Sequence, residues 1–297
     1  WTDIEVFQKV PAMVVEGTKV MDARDAGRGA YMIDVLGTDL EDYKAYLELL
    51  QQAGFEKYSD TGEEGFKGFV YNSTFTKGDI CVSVTQIIKN EKTYIMATDQ
   101  EKFSPNLKYD EKRLEDNKPG AKTTMTSMEM CSHGTGIIFQ LKNGHFIIND
   151  GGTETDIGPL LDYLESLTPN GEKPVIEAWF ISHAHPDHQG VLEGFLEHLD
   201  WIDRIVVDAF YFMELNSDSG QMIGGNGLFS KFAINATYLK DSNGDMPAIY
   251  RPEIGQRYYF SDISVDVCFS ADILPLSVKR IGRAFYTLIR SYTNDSS

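Results

Sequence analysis

The sequence predicts a mixed α/β protein in two units, a small α+β domain over residues 1–98 and a larger α/β unit over 123–297. Three observations lead there. Residues 174–181, Pro-Val-Ile-Glu-Ala-Trp-Phe-Ile, form a nearly continuous apolar run with β-branched residues, as a strand buried on both faces requires. Val191, Leu192, Phe195, Leu196 and Leu199 follow at helical spacing, from a start near His188. The first hundred residues read differently, as one strand, one helix and then three strands in succession.

In the N-terminal unit, Tyr31-Met32-Ile33-Asp34-Val35-Leu36 has the composition of a strand. Thr38-x-x-Glu41 then has the spacing of a capping box. Tyr43, Leu47, Leu50 and Phe55 mark the helix that follows, and Ala53-Gly54 ends it. Strand-like stretches come next at 69–75, 80–88 and 93–97, with Gly78-Asp79 as a hairpin turn between the first two. Tyr58, Tyr71 and Tyr94 read as half-buried packing residues of these strands rather than as ligand contacts. Residues 99–122 are charged, carry Pro105, Pro119 and Gly120, and lack periodicity, so they read as a linker.

The second unit continues with His145-Phe-Ile-Ile-Asn-Asp150-Gly151-Gly152, a short apolar strand closed by Asp-Gly-Gly. Ile157, Leu160, Leu161, Leu164 and Leu167 make a helical stripe that Pro169-Asn170-Gly171 stops. After the 174–181 strand, Pro186 bars a continuous helix through the turn. Ile205-Val206-Val207-Asp208 is a further strand, and Tyr211 and Phe212 after it read as packing residues that could line a pocket. Ser219-Gly220 and Gly224-Gly225-Asn226-Gly227 lack the Lys of a phosphate loop and read as a mobile surface loop.

The chemistry concentrates at His183-x-His185-x-Asp187-His188, which holds three of the six histidines. Neutral imidazole and carboxylate are the ligands that borderline divalent metals prefer. On an extended backbone a period of two sends His183 and His185 to one face. Asp187 and His188 lie where the strand turns away and reach a displaced point. That arrangement suits two ions roughly 3.5–4 Å apart, which can clamp the attacking and leaving oxygens of a hydrolysis. The competing reading is a polar surface turn, and four metal-competent residues behind an apolar strand argue against it. His133, His145 and His198 read as structural positions, with His133 the one whose turn can approach the motif.

This motif, with the order strand, helix, strand, loop, helix around it, resembles the signature of the metallo-β-lactamase superfamily over roughly residues 120–297. The resemblance implies an αββα sandwich and a metal-dependent hydrolase acting on an ester, thioester, amide or lactam, or phosphodiester. It implies two ions, zinc first, with manganese or iron as alternatives. His183 and His185 would hold one ion and Asp187 and His188 the other, with Asp187 also orienting the nucleophile. Asp150 would steady the loop without being a ligand; a plain Asp-Gly turn explains the same residue without metal. The resemblance also calls for a bridging Asp on a later strand and at least one more His. No histidine follows His198, and residues 291–297 look like the loop leading to that Asp. The expectation is half a metal site, and a 297-residue chain inactive or nearly so by itself. A diiron oxidoreductase fits less well, because that branch has Glu where this chain has His185. The rival from another class is a binding or regulatory module on the same scaffold.

Composition narrows the partners. Charges of 27 − 45 give −18 and a pI near 4.7, a field that repels phosphate backbones and argues against nucleic acid. A small-molecule substrate is the expected partner, phosphoesters included, since bound cations reverse the local sign. No apolar run approaches the ~20 residues that span a bilayer, and no signal peptide is visible at Trp1. Cys81, Cys131 and Cys268 are far apart and odd in number, as in a reducing compartment, so a cytoplasmic location is expected.

Overall fold

The computed structural model describes residues 2–27, 29–65, 67–98, 103–182, 186–212 and 238–267. The expectations for His183, His185, the 219–227 loop, Cys268 and residues 291–297 lie outside these described residues. The content is mixed α/β, as the sequence predicts.

The N-terminal elements are α1 (Glu5–Gln8), β1 (Lys19–Val20), β2 (Arg24–Gly27), β3 (Ala30–Leu36), α2 (Leu40–Gln52), β4 (Glu56–Asp60), β5 (Val70–Lys77), β6 (Ile80–Ile87) and β7 (Lys92–Thr98). They form a seven-stranded antiparallel sheet in the order β1-β3-β7-β6-β5-β4, with β2 beside β3. Strand alternation divides the residues. Ile33, Val35, Phe75, Val82, Val84, Ile95 and Ala97 meet Tyr43, Tyr46 and Leu50 of α2 in one core. The hairpin at Gly78-Asp79 is a two-residue loop, since Lys77 pairs with Ile80 and Gly78 takes φ +57°.

The helix cap differs from the expected one by a residue. Asp39, not Thr38, is the N-cap; it accepts from the amides of Glu41 and Asp42, and Asp42 returns the bond to the Asp39 amide. Thr38 is 1% exposed because its hydroxyl joins Thr93 at 2.8 Å while its carbonyl accepts from Gln86 at 2.9 Å. A threonine drawn into a buried polar cluster cannot also cap a helix. Gly54, at φ +85°, ends α2 as expected.

The second unit contains β8 (Thr124–Ser127), β9 (Gly136–Gln140), β10 (Phe146–Asp150), α3 (Ile157–Leu167), β11 (Val175–Ile181), α4 (Pro186–Gln189), α5 (Val191–Glu197), β12 (Val206–Val207), β13 (Ala209–Phe212), β14 (Ala248–Tyr250), β15 (Arg257–Phe260) and β16 (Ile263–Asp266). Its main sheet runs β14-β13-β11-β10-β9-β8 with β12 beside β11. Strands β8 to β10 are antiparallel, whereas β10, β11, β13 and β14 are parallel. Helical crossovers join two of these parallel pairs, β10 to β11 through α3 and β11 to β13 through α4 and α5. Ile157, Leu160, Leu161 and Leu164 of α3 and Val191, Leu192 and Phe195 of α5 cover one face, against Phe146, Ile148, Ile176 and Trp179. Thr168 is extended after α3, as the residue before Pro169 must be. Leu199 departs from the expected stripe: it lies beyond the end of α5 and is 56% exposed. Tyr211 and Phe212 are each 1% exposed and belong to the packed interior, so neither lines an open pocket.

The opposite face carries Ile147, Ala178 and Tyr211 against Tyr258 and Phe260 of the two-stranded sheet β15-β16. Residues 103–117, which composition marks as part of a linker, are instead docked here. Leu107 joins this core, the Ser104 hydroxyl meets that of Tyr211 at 2.6 Å, and Asn106 and Arg113 both donate to the Tyr259 carbonyl. Their polar surface hides this in the sequence, because a few anchors do the docking. The segment after β14 also reaches the N-terminal sheet: Arg251 donates to the Ala26 carbonyl, and Gly255 lies against Val70 and Asn72.

Two outcomes follow. Asp39→Ala should destabilise the protein by about 1 kcal/mol in urea unfolding, the usual cost of a lost cap, whereas a fault confined to Thr38 would appear as a buried polar defect. Limited proteolysis should leave 103–117 uncut until global unfolding; early cleavage there would mean that the docking is loose.

Candidate functional site

Of the expected site residues, the described ones, Asp150, Asp187 and His188, lie together at the carboxyl ends of β10 and β11, parallel neighbours in which Ile148 pairs with Trp179 and Asn149 with Phe180. Such strand ends are where α/β sheets hold ligands. Asp150 closes β10 at φ +58°, a left-handed conformation that Asp tolerates better than most residues. The two glycines after it have steric reasons. A Cβ on Gly151 would sit 2.5 Å from Val191 Cγ1, and one on Gly152 would sit 2.5 Å from Asp156 Oδ2. Asp-Gly-Gly is therefore a tight crossing of three segments and more than a surface turn.

The Asp150 carboxylate, 2% exposed, collects the loop after β11. Its Oδ1 accepts from the Ser182 amide at 2.7 Å. Its Oδ2 accepts from the Ser182 hydroxyl at 2.8 Å and from His188 Nδ1 at 2.9 Å. Its carbonyl accepts from Trp179 Nε1 at 2.8 Å. An ionised carboxylate only accepts, so Nδ1 of His188 carries the proton and Nε2 is the basic nitrogen of the neutral ring. Burial pulls the His188 pKa down, but the hydrogen bond and charge of Asp150, with the charge of Asp187, outweigh it and raise the pKa above its ordinary value. The partly exposed Asp187 has Oδ2 at 3.6 Å from His188 Nε2. Both residues sit on α4, whose first turn takes Pro186 without losing a needed amide.

A second loop, which the sequence reading passes over apart from His133, supports this one. The Thr135 amide donates to the Asp187 carbonyl at 3.3 Å, and the Thr135 carbonyl accepts from the Gly151 amide at 3.0 Å. Gly134, at φ +124°, is packed so closely on the Asp187 carbonyl that a Cβ would overlap it. His133 is exposed next to this contact, with Nδ1 at 2.9 Å from the Ser132 hydroxyl. His145 pairs with Glu177 at 2.9 Å, and His198 stacks on Trp201 at 4.0 Å, so both are structural positions as expected. Ser182 and Trp179 are the site residues that sequence reasoning missed; their only signal is adjacency to a strand end.

The spacing of one described pair of donors is of the kind found at a divalent ion. Two ligand atoms each about 2.1 Å from a tetrahedral ion stand ~3.4 Å apart, close to the spacing of His188 Nε2 and Asp187 Oδ2. The carboxylate behind His188 is the partner that ligating histidines ordinarily have. Among the described residues no three His, Cys, Asp or Glu side chains form a metal-binding group, and His183 and His185 are not among them. Two surface clefts of about 470 and 380 Å³ are lined by other residues, Tyr109 and Tyr259 in one, Asp208 and Asp241 in the other. Among the described residues no helix is long and apolar enough to cross a membrane. The chain matches no family model, no curated protein and no solved structure.

Gly134→Ala should cost ~2 kcal/mol or more in chemical unfolding, from the strained φ and the overlap with the Asp187 carbonyl together. A neutral result would mean that the two loops are not in contact.

Proposed function

We propose that this protein is a metal-dependent hydrolase built on a metallo-β-lactamase-type sandwich, with zinc as its ion and manganese or iron as substitutes. The observation that carries the reading is the buried Asp150 carboxylate, which holds His188 through Nδ1 and Ser182 through its amide and hydroxyl at the ends of two parallel strands. The layering agrees with it: helices α3 and α5 on one face of the main sheet, strands β15 and β16 on the other.

In this reading His183 and His185 would hold one ion and His188 and Asp187 the other. What the bound ions supply is acidification of a water toward a pKa of ~7 and polarisation of the attacked carbonyl or phosphoryl. The chain does the rest. Asp150 holds His188 through Nδ1, which leaves Nε2 as the nitrogen that would bind an ion. Asp187 accepts a hydrogen bond from the attacking water and orients it. The net charge of −18 disfavours polyanionic substrates, leaving small esters, thioesters, amides or lactams and compact phosphodiesters.

The test is hydrolysis of representatives of those classes with added zinc or manganese. With the full ligand set in place, turnover of at least one class that Asp187→Ala abolishes, with thermal unfolding unchanged, is the expected outcome; the 297-residue chain by itself should be inactive or nearly so. Activity of Asp187→Ala equal to the parent would remove the residue from the mechanism. Zinc binding without turnover of any class would leave a binding or regulatory module as the better reading.

A further inference from the structure

Asp156 never reaches the candidate site, yet it ties together the loops that form it. The residue is fully buried at the start of α3, and its carboxylate takes three donors. Oδ1 accepts from the Cys131 amide at 2.7 Å, while Oδ2 accepts from the Thr153 amide and hydroxyl, each at 2.7 Å. These bonds hold the carboxyl ionised against the opposing pull of burial, and its pKa falls below the ordinary value. Cys131 belongs to the loop between β8 and β9, and Thr153 to the loop after β10.

From there the contacts run directly to α4. The Cys131 loop continues through Gly134, packed on the Asp187 carbonyl, to Thr135, whose amide donates to that carbonyl. The Thr153 loop begins at Asp150 itself, and the Gly152 carbonyl accepts from the Val191 amide at 3.1 Å, just beyond α4. Asp156 thus ties two loops together: one bonds the Asp187 carbonyl through Thr135, and the other begins at Asp150, which bonds His188. Thr153 and Asp156 alone would be an ordinary capping box; the bond to Cys131 adds a long-range tie that helix capping does not need.

We propose that Asp156 is a positioning residue for the Asp187–His188 pair, acting through the 131–135 loop. This rests on the reading of that pair as metal ligands. A planar amide cannot reproduce the arrangement, because one of its two ends is itself a donor and must face a donor. Asp156→Asn should therefore release either the Cys131 or the Thr153 side, and Thr153→Val, which removes one donor of three, should act in the same direction more weakly.

The experiment compares the parent protein with Asp156→Asn, Thr153→Val and Leu164→Val. Leu164 is a fully buried core residue on α3, so its variant controls for a loss of stability without touching these loops. One measurement is amide hydrogen exchange at Thr135 in metal-free protein; the other is cobalt(II) affinity, followed by the ligand-field absorption of the bound ion. Asp156→Asn should speed Thr135 exchange at least tenfold and weaken cobalt binding at least tenfold, with Leu164→Val within twofold of the parent in both. Thr153→Val keeps the proposal testable if Asp156→Asn does not fold. Equal behaviour of the Asp156 and Leu164 variants would overturn the proposal. So would faster exchange with unchanged cobalt affinity, which confines Asp156 to loop stability. Absence of cobalt binding in the parent would instead remove the metal reading, and with it the role of Asp156 toward that site; the exchange result would still decide whether Asp156 holds the Asp187 turn.

Discussion

A buried carboxylate at the end of a strand organises this region. Taking the charge of Asp150 out of water is costly, and the cost is met only if donors converge on it. They do: the Ser182 amide and hydroxyl, His188 Nδ1 and Asn149 Nδ2 all reach the two oxygens. Asn149 is a local donor, but Ser182 and His188 are distant in sequence and no local stretch of chain could bring them to Asp150. The parallel register of β10 and β11 does so, because it ends both strands at the same level. That register depends in turn on the α3 crossover, whose leucines pay for ordering the connection by filling the core between helix and sheet.

The second consequence is that α4 is held from several directions before any ligand is present. Trp179 anchors the Asp150 carbonyl, Thr135 and Gly134 press on the Asp187 carbonyl, and Val191 is bonded to Gly152. A turn carrying two metal-competent side chains is thereby made rigid by its supports, and its own four residues contribute little. Preorganisation of this kind lowers the ordering cost that a ligand would otherwise meet.

The two sheets also handle their second faces differently. In the N-terminal sheet, one face is apolar and helix-covered, while the other is threaded with Asn72, Ser83 and Thr85, where Asn72 donates to both hydroxyls. Buried polar side chains are tolerable there because they satisfy one another. The segment around Gly255 lies against this face at Asn72. The main sheet of the second unit is apolar on both faces and is covered on both, by helices and by the β15-β16 hairpin.

Much of this was legible from the residues alone. Strong periodicity located α2, α3, α5, β10 and β11, because each buries a continuous stripe whose spacing is set by backbone geometry. The loop-steadying role of Asp150 is what the family resemblance implies, whereas the Asp-Gly-Gly pattern alone reads as a turn; in the structure its carboxylate accepts from Ser182 and His188. Short strands such as β8 and β14 were not legible, since three or four residues give no period to count, and their pairing comes from neighbours distant in sequence. The Thr38 and 103–117 readings missed for a related reason. A threonine beside a helix start looks like a cap until Gln86 and Thr93 claim it, and a charged segment looks like a linker until Ser104 and Leu107 find their sites on the second sheet. The sequence by itself determined which segments must bury an apolar face, and where imidazole and carboxylate side chains crowd into one short stretch. Only the tertiary structure decided which donors surround Asp150 and Asp156, because hydrogen bonds to a buried carboxylate depend on atoms brought within 3 Å from segments that share no local pattern.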